Sequence, residues 1–235
     1  MPANQPNIRL FVSDMDSTMI ANECIDEMAR MLDEKKPVAG APNHYFEQVQ
    51  AITKATMDGA ALPFNESLKK RIGILADAGF KEAWLPEIYA RITPMEGAED
   101  LLKHLNAHRV HTVLVSGGFT FFAEKVAAQL GFHEFHANTL EFTDGKLSGV
   151  HGPASNNGNI LDGAGKRHIM YAIMNEKLIA PHAVCAIGDG SNDADMVKAA
   201  GYGIAYRAKN PNLLAAAGFT ANQLSEVPAI LASDI

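Results

Sequence analysis

Asp14 and Asp16 stand two residues apart, directly after the apolar run 8–12. Two carboxylates this close repel unless a cation neutralises them or one of them keeps its proton. If the chain stays extended, both project from the same side. Mg²⁺ takes an octahedron of oxygen ligands, usually one or two carboxylates with waters and a phosphate oxygen. Asp189 follows a second apolar run, 183–187, and can supply a third protein oxygen, with Asp193 close behind. A carboxylate is also a nucleophile toward phosphorus, forming an aspartyl phosphate. A single aspartate at a strand-to-helix turn is ordinarily an N-cap. The pair together with Asp189 and Asp193 points instead to metal-assisted phosphoryl chemistry.

A third apolar run, 110–115, ends in Ser116-Gly117-Gly118 ahead of a helical pattern. Free N–H groups at a helix N-terminus attract anions, and glycines let the backbone come close. The Ser116 hydroxyl adds a donor. Neither G-x-x-x-x-G-K-[ST] nor a strand running into G-x-G-x-x-G occurs, so a small phosphomonoester suits the chain better than a nucleotide. The charge of a transferring phosphoryl group needs a fixed cation. Lys166 and Arg167, at the start of a helix, are the candidates, although a lysine on a helix is ordinarily just solvated.

All three clusters need a scaffold that brings them to one place. Short aliphatic runs without alternation read as strands buried on both faces, as in a parallel sheet covered by helices. Ligands of such sheets bind beyond the carboxyl ends of the strands. The fold class expected is therefore α/β, a doubly wound parallel sheet with helices inserted after the first strand. The insertion reads as four helices, over 23–32, 44–57, 65–77 and 81–92. Asn65 is the expected N-cap of the third, and Met57-Asp58-Gly59 the end of the second. Helices are expected over 98–108, 120–130, 163–177 and 192–200. Strands are expected over 135–142 and 146–150, joined by the turn pair Asp144-Gly145, and over 202–206. Beyond Asn210 the pattern is a helix, a short extended piece at Phe219 and a terminal helix. The division expected is a core of 1–18 and 94–235 with a helical cap of 19–93.

The bulk properties fit this picture. Of 235 residues, 47% are apolar and 20% charged, as in globular proteins generally, and the formal charge of −7 argues against a nucleic-acid footprint. The N-terminal residues lack the basic and apolar regions of a signal peptide. No segment reaches the roughly 18 apolar residues of a membrane helix. A cytoplasmic protein is expected, with Cys24 and Cys185 as reduced, packed thiols. His104, His108 and His111 form a loose cluster without a cysteine or carboxylate at ligand spacing, and read as helix-end residues rather than a zinc site.

Asp14-Met-Asp-Ser-Thr18, Ser116-Gly-Gly-Phe-Thr120, Lys166 and Gly188-Asp-Gly-Ser-Asn-Asp193 together resemble the four motifs of the haloacid dehalogenase superfamily. Asn22-Glu23-Cys24-Ile25-Asp26-Glu27, Phe64-Asn-Glu-Ser-Leu-Lys-Lys-Arg71 and Thr93-Pro-Met-Glu-Gly97 resemble the helical cap and return of the phosphoserine phosphatases. The resemblance runs from Ile8 to about Ala208. It implies Asp14 as nucleophile and Asp16 as general acid and base. It implies Mg²⁺ held by Asp14, Asp189 and the backbone carbonyl of Asp16. Ser116, the Gly117 amide and Lys166 would hold the phosphate, Asn192 would contact the phosphoryl group or substrate, and Asp193 would orient Lys166 or the metal waters. Glu23 and Arg71 would grip the ammonium and carboxylate of an amino-acid head group, a pairing that makes chemical sense. The implied activity is Mg²⁺-dependent hydrolysis of O-phosphoserine, with a small phosphomonoester as the only partner and no nucleic acid or membrane. Transfer to an alcohol such as homoserine, action on another monoester, and phosphate binding without turnover use the same residues. The chain departs from the family pattern at 37–43, at 148–160 and after Asn210, and its oligomeric state is not readable.

Overall fold

The aliphatic runs form strands whose two faces both pack against helices. In the computed structural model, which describes residues 8–57 and 62–232, the strands are β1 (Leu10–Ser13), β2 (His111–Phe119), β3 (Glu134–Thr143), β4 (Lys146–His151), β5 (Val184–Gly188), β6 (Tyr202–Tyr206) and β7 (Phe219–Ala221). They make one sheet in the order β4-β3-β2-β1-β5-β6-β7. Only β4 runs antiparallel to its neighbour. β1 lies between β2 and β5, with Ser13 opposite both Leu114 and Ile187. The carboxyl ends of these central strands are therefore level, and the residues that follow them meet at one edge. Alternate residues feed two cores. Phe11, Leu114 and Ile187 face one, and Leu10, Val12, Val113 and Ala186 face the other. That is the period of two expected for a sheet covered on both sides.

Helices α1 (Cys24–Lys35), α2 (His44–Met57), α3 (Phe64–Asp77) and α4 (Leu85–Tyr89) lie between β1 and β2 in the chain. Ile20 and Pro94 form a β-bridge, and the Met95 N–H donates to the Met19 carbonyl at 2.8 Å. The segments that leave and re-enter the sheet layer are thus tied together. The loop at 36–43 turns back on itself, and buried Asp33 then caps α2, accepting the Tyr45 and Phe46 N–H groups at 2.9 Å each. A carboxylate there also suits the positive end of the helix dipole. The remaining helices are α5 (Ala98–Ala107), α6 (Thr120–Leu130), α7 (Gly163–Glu176), α8 (Ala194–Ala199), α9 (Pro211–Ala216) and α10 (Val227–Leu231).

Four local expectations need correction. No single helix spans 81–92: a 3₁₀ turn (Glu82–Trp84) leads into the short α4. Lys81 bridges to Lys146 and the Glu82 N–H binds the Gly145 carbonyl, so their backbone serves the β3–β4 hairpin instead. Pro86 then supplies no N–H where the helix begins. Asn65 is not the cap of α3. Pro63 precedes the helix, and the Asn65 side chain reaches only the adjacent Glu66 N–H. The helix expected over 192–200 starts as a 3₁₀ turn (Ser191–Asp193) before α8. Ser116-Gly117-Gly118 lies in β2, which continues to Phe119, so the amides there are strand amides and not the first turn of α6. The glycine end of α2 lies outside the described residues.

Candidate active site

The chain leaves β1 at Asp14 and turns sharply, with Ser17 in the left-handed region at φ 57°. It does not stay extended, and the two aspartates reach different partners. Asp14 takes the Lys166 ammonium at 2.5 Å. Asp16 accepts the Cys24 N–H at 2.8 Å through one oxygen, and its other oxygen lies 3.5 Å from Ser116 Oγ. The same turn delivers Thr18, whose hydroxyl donates to Asp189 at 2.9 Å, and Ser17, whose hydroxyl donates to Glu23 at 2.6 Å.

Lys166 enters from the first turn of α7, which Asp162 caps through the Gly165 N–H. It is completely buried, lies 2.7 Å from Asp193, and so bridges Asp14 and Asp193. Asp193 in turn accepts the Gly190 N–H at 3.0 Å. Arg167, the other candidate cation, is largely exposed and faces Asp195 at 3.9 Å, away from this cluster. Ser116 is buried and accepts the Gly118 N–H at 2.8 Å. A side chain at Gly117 would strike the Phe64 ring at 2.7 Å, and one at Gly118 would strike Asp16 at 2.6 Å. These glycines therefore permit close approach, which is a different reason from the helix-end argument. Buried Asn138 secures the strand end: its amide donates to the Gly117 carbonyl and accepts the Leu161 N–H, both at 2.8 Å.

Burial dominates the electrostatics. It pushes Asp14 up to about 7, with Asp193 and Glu23 adding to the rise and Lys166 opposing it. Burial and then Asp14 raise Asp16 to about 6. Asp189 is also raised, by burial and by Asp14 and Asp193. Burial works against the Lys166 charge, but Asp14 and Asp193 more than offset it and hold the ammonium protonated. Asp14, Asp189 and Asp193 each present an oxygen within 4.8 Å of the others. Three converging carboxylates against one ammonium leave an excess of negative charge, and an all-oxygen donor set suits a hard divalent cation. The three histidines do not converge: His104 stacks near His108, whereas His111 binds Glu134 at 2.6 Å.

Above the carboxylates lies a cavity of about 370 Å³ that Asp14, Asp16, Glu23, Arg71, Gly117 and Asn192 help to line. Glu23 is raised to about 8, first by burial and then by Asp16. Arg71 is buried; it donates to Thr53 Oγ1 at 3.1 Å and weakly to the Ser67 carbonyl. No carboxylate among the described residues lies within ion-pair distance of it. Apart from Arg167, every site residue expected from the sequence lies in this cavity or in the hydrogen-bond network beneath it. Thr53, Thr56 and Phe64 line the cavity too, and Asn138 supports it. Thr53, Thr56 and Asn138 were not marked by sequence, because a threonine on an amphipathic helix and an asparagine in a strand carry no distinctive spacing, and Phe64 entered only as the first residue of the cap motif 64–71.

The comparisons with known proteins agree with this geometry. The model of the haloacid dehalogenase-like hydrolases matches residues 8–201. A phosphoserine phosphatase of Idiomarina loihiensis is 40% identical over 213 residues, which is 91% of this chain and 88% of that protein. A solved phosphoserine phosphatase carrying a phospho-aspartyl intermediate analogue superposes with a TM-score of 0.81 at 34% identity, over 94% of this chain and 98% of the other. A substrate-bound phosphoserine phosphatase gives a TM-score of 0.81 at 33% identity, over 94% and 97% of the two chains. With its parallel sheet, its converging aspartates and its buried lysine, the chain belongs to the haloacid dehalogenase-like hydrolases.

Proposed function

We propose that the protein hydrolyses O-phospho-L-serine to L-serine and phosphate through an aspartyl phosphate on Asp14, in a cytoplasmic setting. The observation that carries the substrate reading is Arg71. A buried guanidinium with no carboxylate within ion-pair distance among the described residues, and only longer-range attraction to Glu23, Asp26 and Asp16, lines one cavity with Glu23 and Asp14. A buried charge gains from a close, hydrogen-bonded counter-charge, so the arrangement suits a ligand that brings its own carboxylate. Glu23, poised near neutral pH, suits the ammonium of the same ligand. A fork of guanidinium donors matches a carboxylate.

In this reading an oxygen of Asp14 attacks phosphorus as the bond to the seryl oxygen breaks. Asp16, raised to about 6, gives its proton to that oxygen and later takes one from the water that attacks the aspartyl phosphate. A pKa near working pH favours both roles. Lys166, the Ser116 hydroxyl and the Gly117 amide hold the phosphoryl oxygens, Asn192 contacts the phosphoryl group or substrate, and Asp193 positions Lys166. Asp14, Asp189 and the backbone of Asp16 would hold Mg²⁺, which when bound neutralises charge on the phosphoryl oxygens. Residues 19–93 act as a cap that shields the cavity from bulk water and strengthens these contacts.

Phosphate release from L-phosphoserine, phosphothreonine and p-nitrophenyl phosphate, with and without Mg²⁺, tests the reading. Mg²⁺-dependent turnover that strongly favours phosphoserine is expected. Turnover of p-nitrophenyl phosphate alone would keep the chemistry and discard the substrate. Phosphoserine consumed with homoserine phosphate as the main product, when homoserine is added, would make the enzyme a transferase.

A further inference from the structure

The amino-terminal edge of the sheet, opposite the catalytic edge, carries a second cavity of about 440 Å³ lined by Ile8, Arg9, His108, Arg109, His111 and Lys177, with Ile179 beside them. Arg9 leads into β1, Arg109 lies in the turn from α5 to β2, and Lys177 in the turn from α7 to β5. Backbone bonds hold these three segments level: the Arg9 N–H donates to the Ala183 carbonyl at 2.8 Å, and the His111 N–H donates to the Arg9 carbonyl at 2.9 Å. Three permanent cations thus surround one concavity on a chain whose formal charge is −7.

Helix ends account for part of this. Lys177 follows the last turn of α7, where positive charge complements the helix dipole. Arg9 belongs to no helix, although its guanidinium reaches just past the end of α7. Arg109 follows the C-cap of α5 at φ 59°, a position where glycine is strongly preferred. An arginine holds that turn despite the backbone cost. The Arg9 guanidinium contacts only the Leu178 carbonyl, at 3.3 Å, and among the described residues neither Arg9 nor Arg109 has a carboxylate within ion-pair distance. Of the nearby carboxylates, Glu134 is bound to His111 and exposed Glu176 faces Lys177 at 3.9 Å.

We propose that this cavity binds a small, multiply charged oxyanion, either phosphorylated or polycarboxylate. Guanidinium forks on two sides and an ammonium on the third match the oxygens of such a ligand, and the volume lies in the range of small-molecule sites.

Calorimetric titration of the metal-free full chain with pyrophosphate and, separately, with citrate tests it. Saturable one-site binding of at least one of them is expected, weakening with added salt. Pyrophosphate alone would identify a phosphate ligand, and both would identify a general polyanion site. Arg109→Gly and Arg9→Gln should each weaken binding about tenfold or more, as loss of one charge-assisted contact implies. The glycine variant relieves the left-handed turn, so its thermal midpoint should not fall, and phosphoserine turnover should be unchanged in both variants. Absence of saturable binding to the unmodified chain, or binding of equal strength in both variants, would overturn the proposal.

Discussion

Asn138 offers a sharp test of how the fold sets the site. Its side chain is fully buried and ties the end of β2 to the loop that leads into α7, donating to the Gly117 carbonyl and accepting the Leu161 N–H. Truncation in Asn138→Ala leaves a buried acceptor and a buried donor unsatisfied, at about 1–3 kcal/mol each. A loss of about 2–6 kcal/mol is expected, a large part of the roughly 5–15 kcal/mol that stabilises a typical domain. Gly117 also carries the amide proposed to hold phosphate, and a misplacement of about 1 Å at such a centre costs roughly 10²-fold in rate. Asn138→Asp separates the two effects. One carboxyl oxygen can still accept from Leu161, but the other meets the Gly117 carbonyl and must stay protonated to donate to it. Its folded pKa is then raised, so its stability is fullest below the ordinary carboxylate pKa and falls as pH rises through the folded value, by up to about 1.4 kcal/mol per pH unit. Urea denaturation at several pH values, beside kcat/KM for phosphoserine, reads both. Wild-type stability in Asn138→Ala would refute the bridging argument. A destabilised variant with wild-type kcat/KM would show that the bridge holds the fold but does not set the Gly117 amide.

Three further outcomes are expected. Asp14→Asn should fold and abolish turnover, since the amide cannot attack phosphorus; substantial activity in a clean preparation would remove Asp14 as nucleophile. Arg71→Ala should raise KM for phosphoserine far more than for p-nitrophenyl phosphate, which has no carboxylate, and equal effects on both would sink the carboxylate clamp. Glu134 is held down at about 2, by His136 and then, against burial, by His111. His111 at 2.6 Å is the firmer contact and His136 at 3.6 Å the looser one. Because the folded pKa is lowered from 4.5, the contribution is complete above that value and lost as pH falls toward 2. Glu134 is about a third exposed, so solvent screening reduces the effect to roughly 1 kcal/mol. Glu134→Gln should therefore lower stability by about that much near pH 5.5 and flatten the acid limb of the profile; an unchanged limb would contradict it.

Sequence alone determined the α/β class and the edge at which function collects, because buried parallel strands need unbroken aliphatic runs and ligands gather where such strands end. It also singled out Asp14, Asp16, Asp189 and Asp193, since four carboxylates gathered at the ends of neighbouring strands repel one another unless a cation holds them together. Lys166 and Arg167 looked alike there. Tertiary structure decided between them by burying Lys166 between two carboxylates and leaving Arg167 at the surface. The extended reading of 14–16, the reading of 116–118 as the start of a helix and the Asn65 cap were local rules; the bonds of Asp16 to Cys24 and Ser116, the continuation of β2 to Phe119 and the entry into α3 at Pro63 replaced them. A ring from α3 accounts for Gly117, and a carboxylate from the β1 turn accounts for Gly118. Asn138 was invisible for the same reason: its value lies in joining residues 117 and 161, and no local spacing records a contact that only the packed sheet creates.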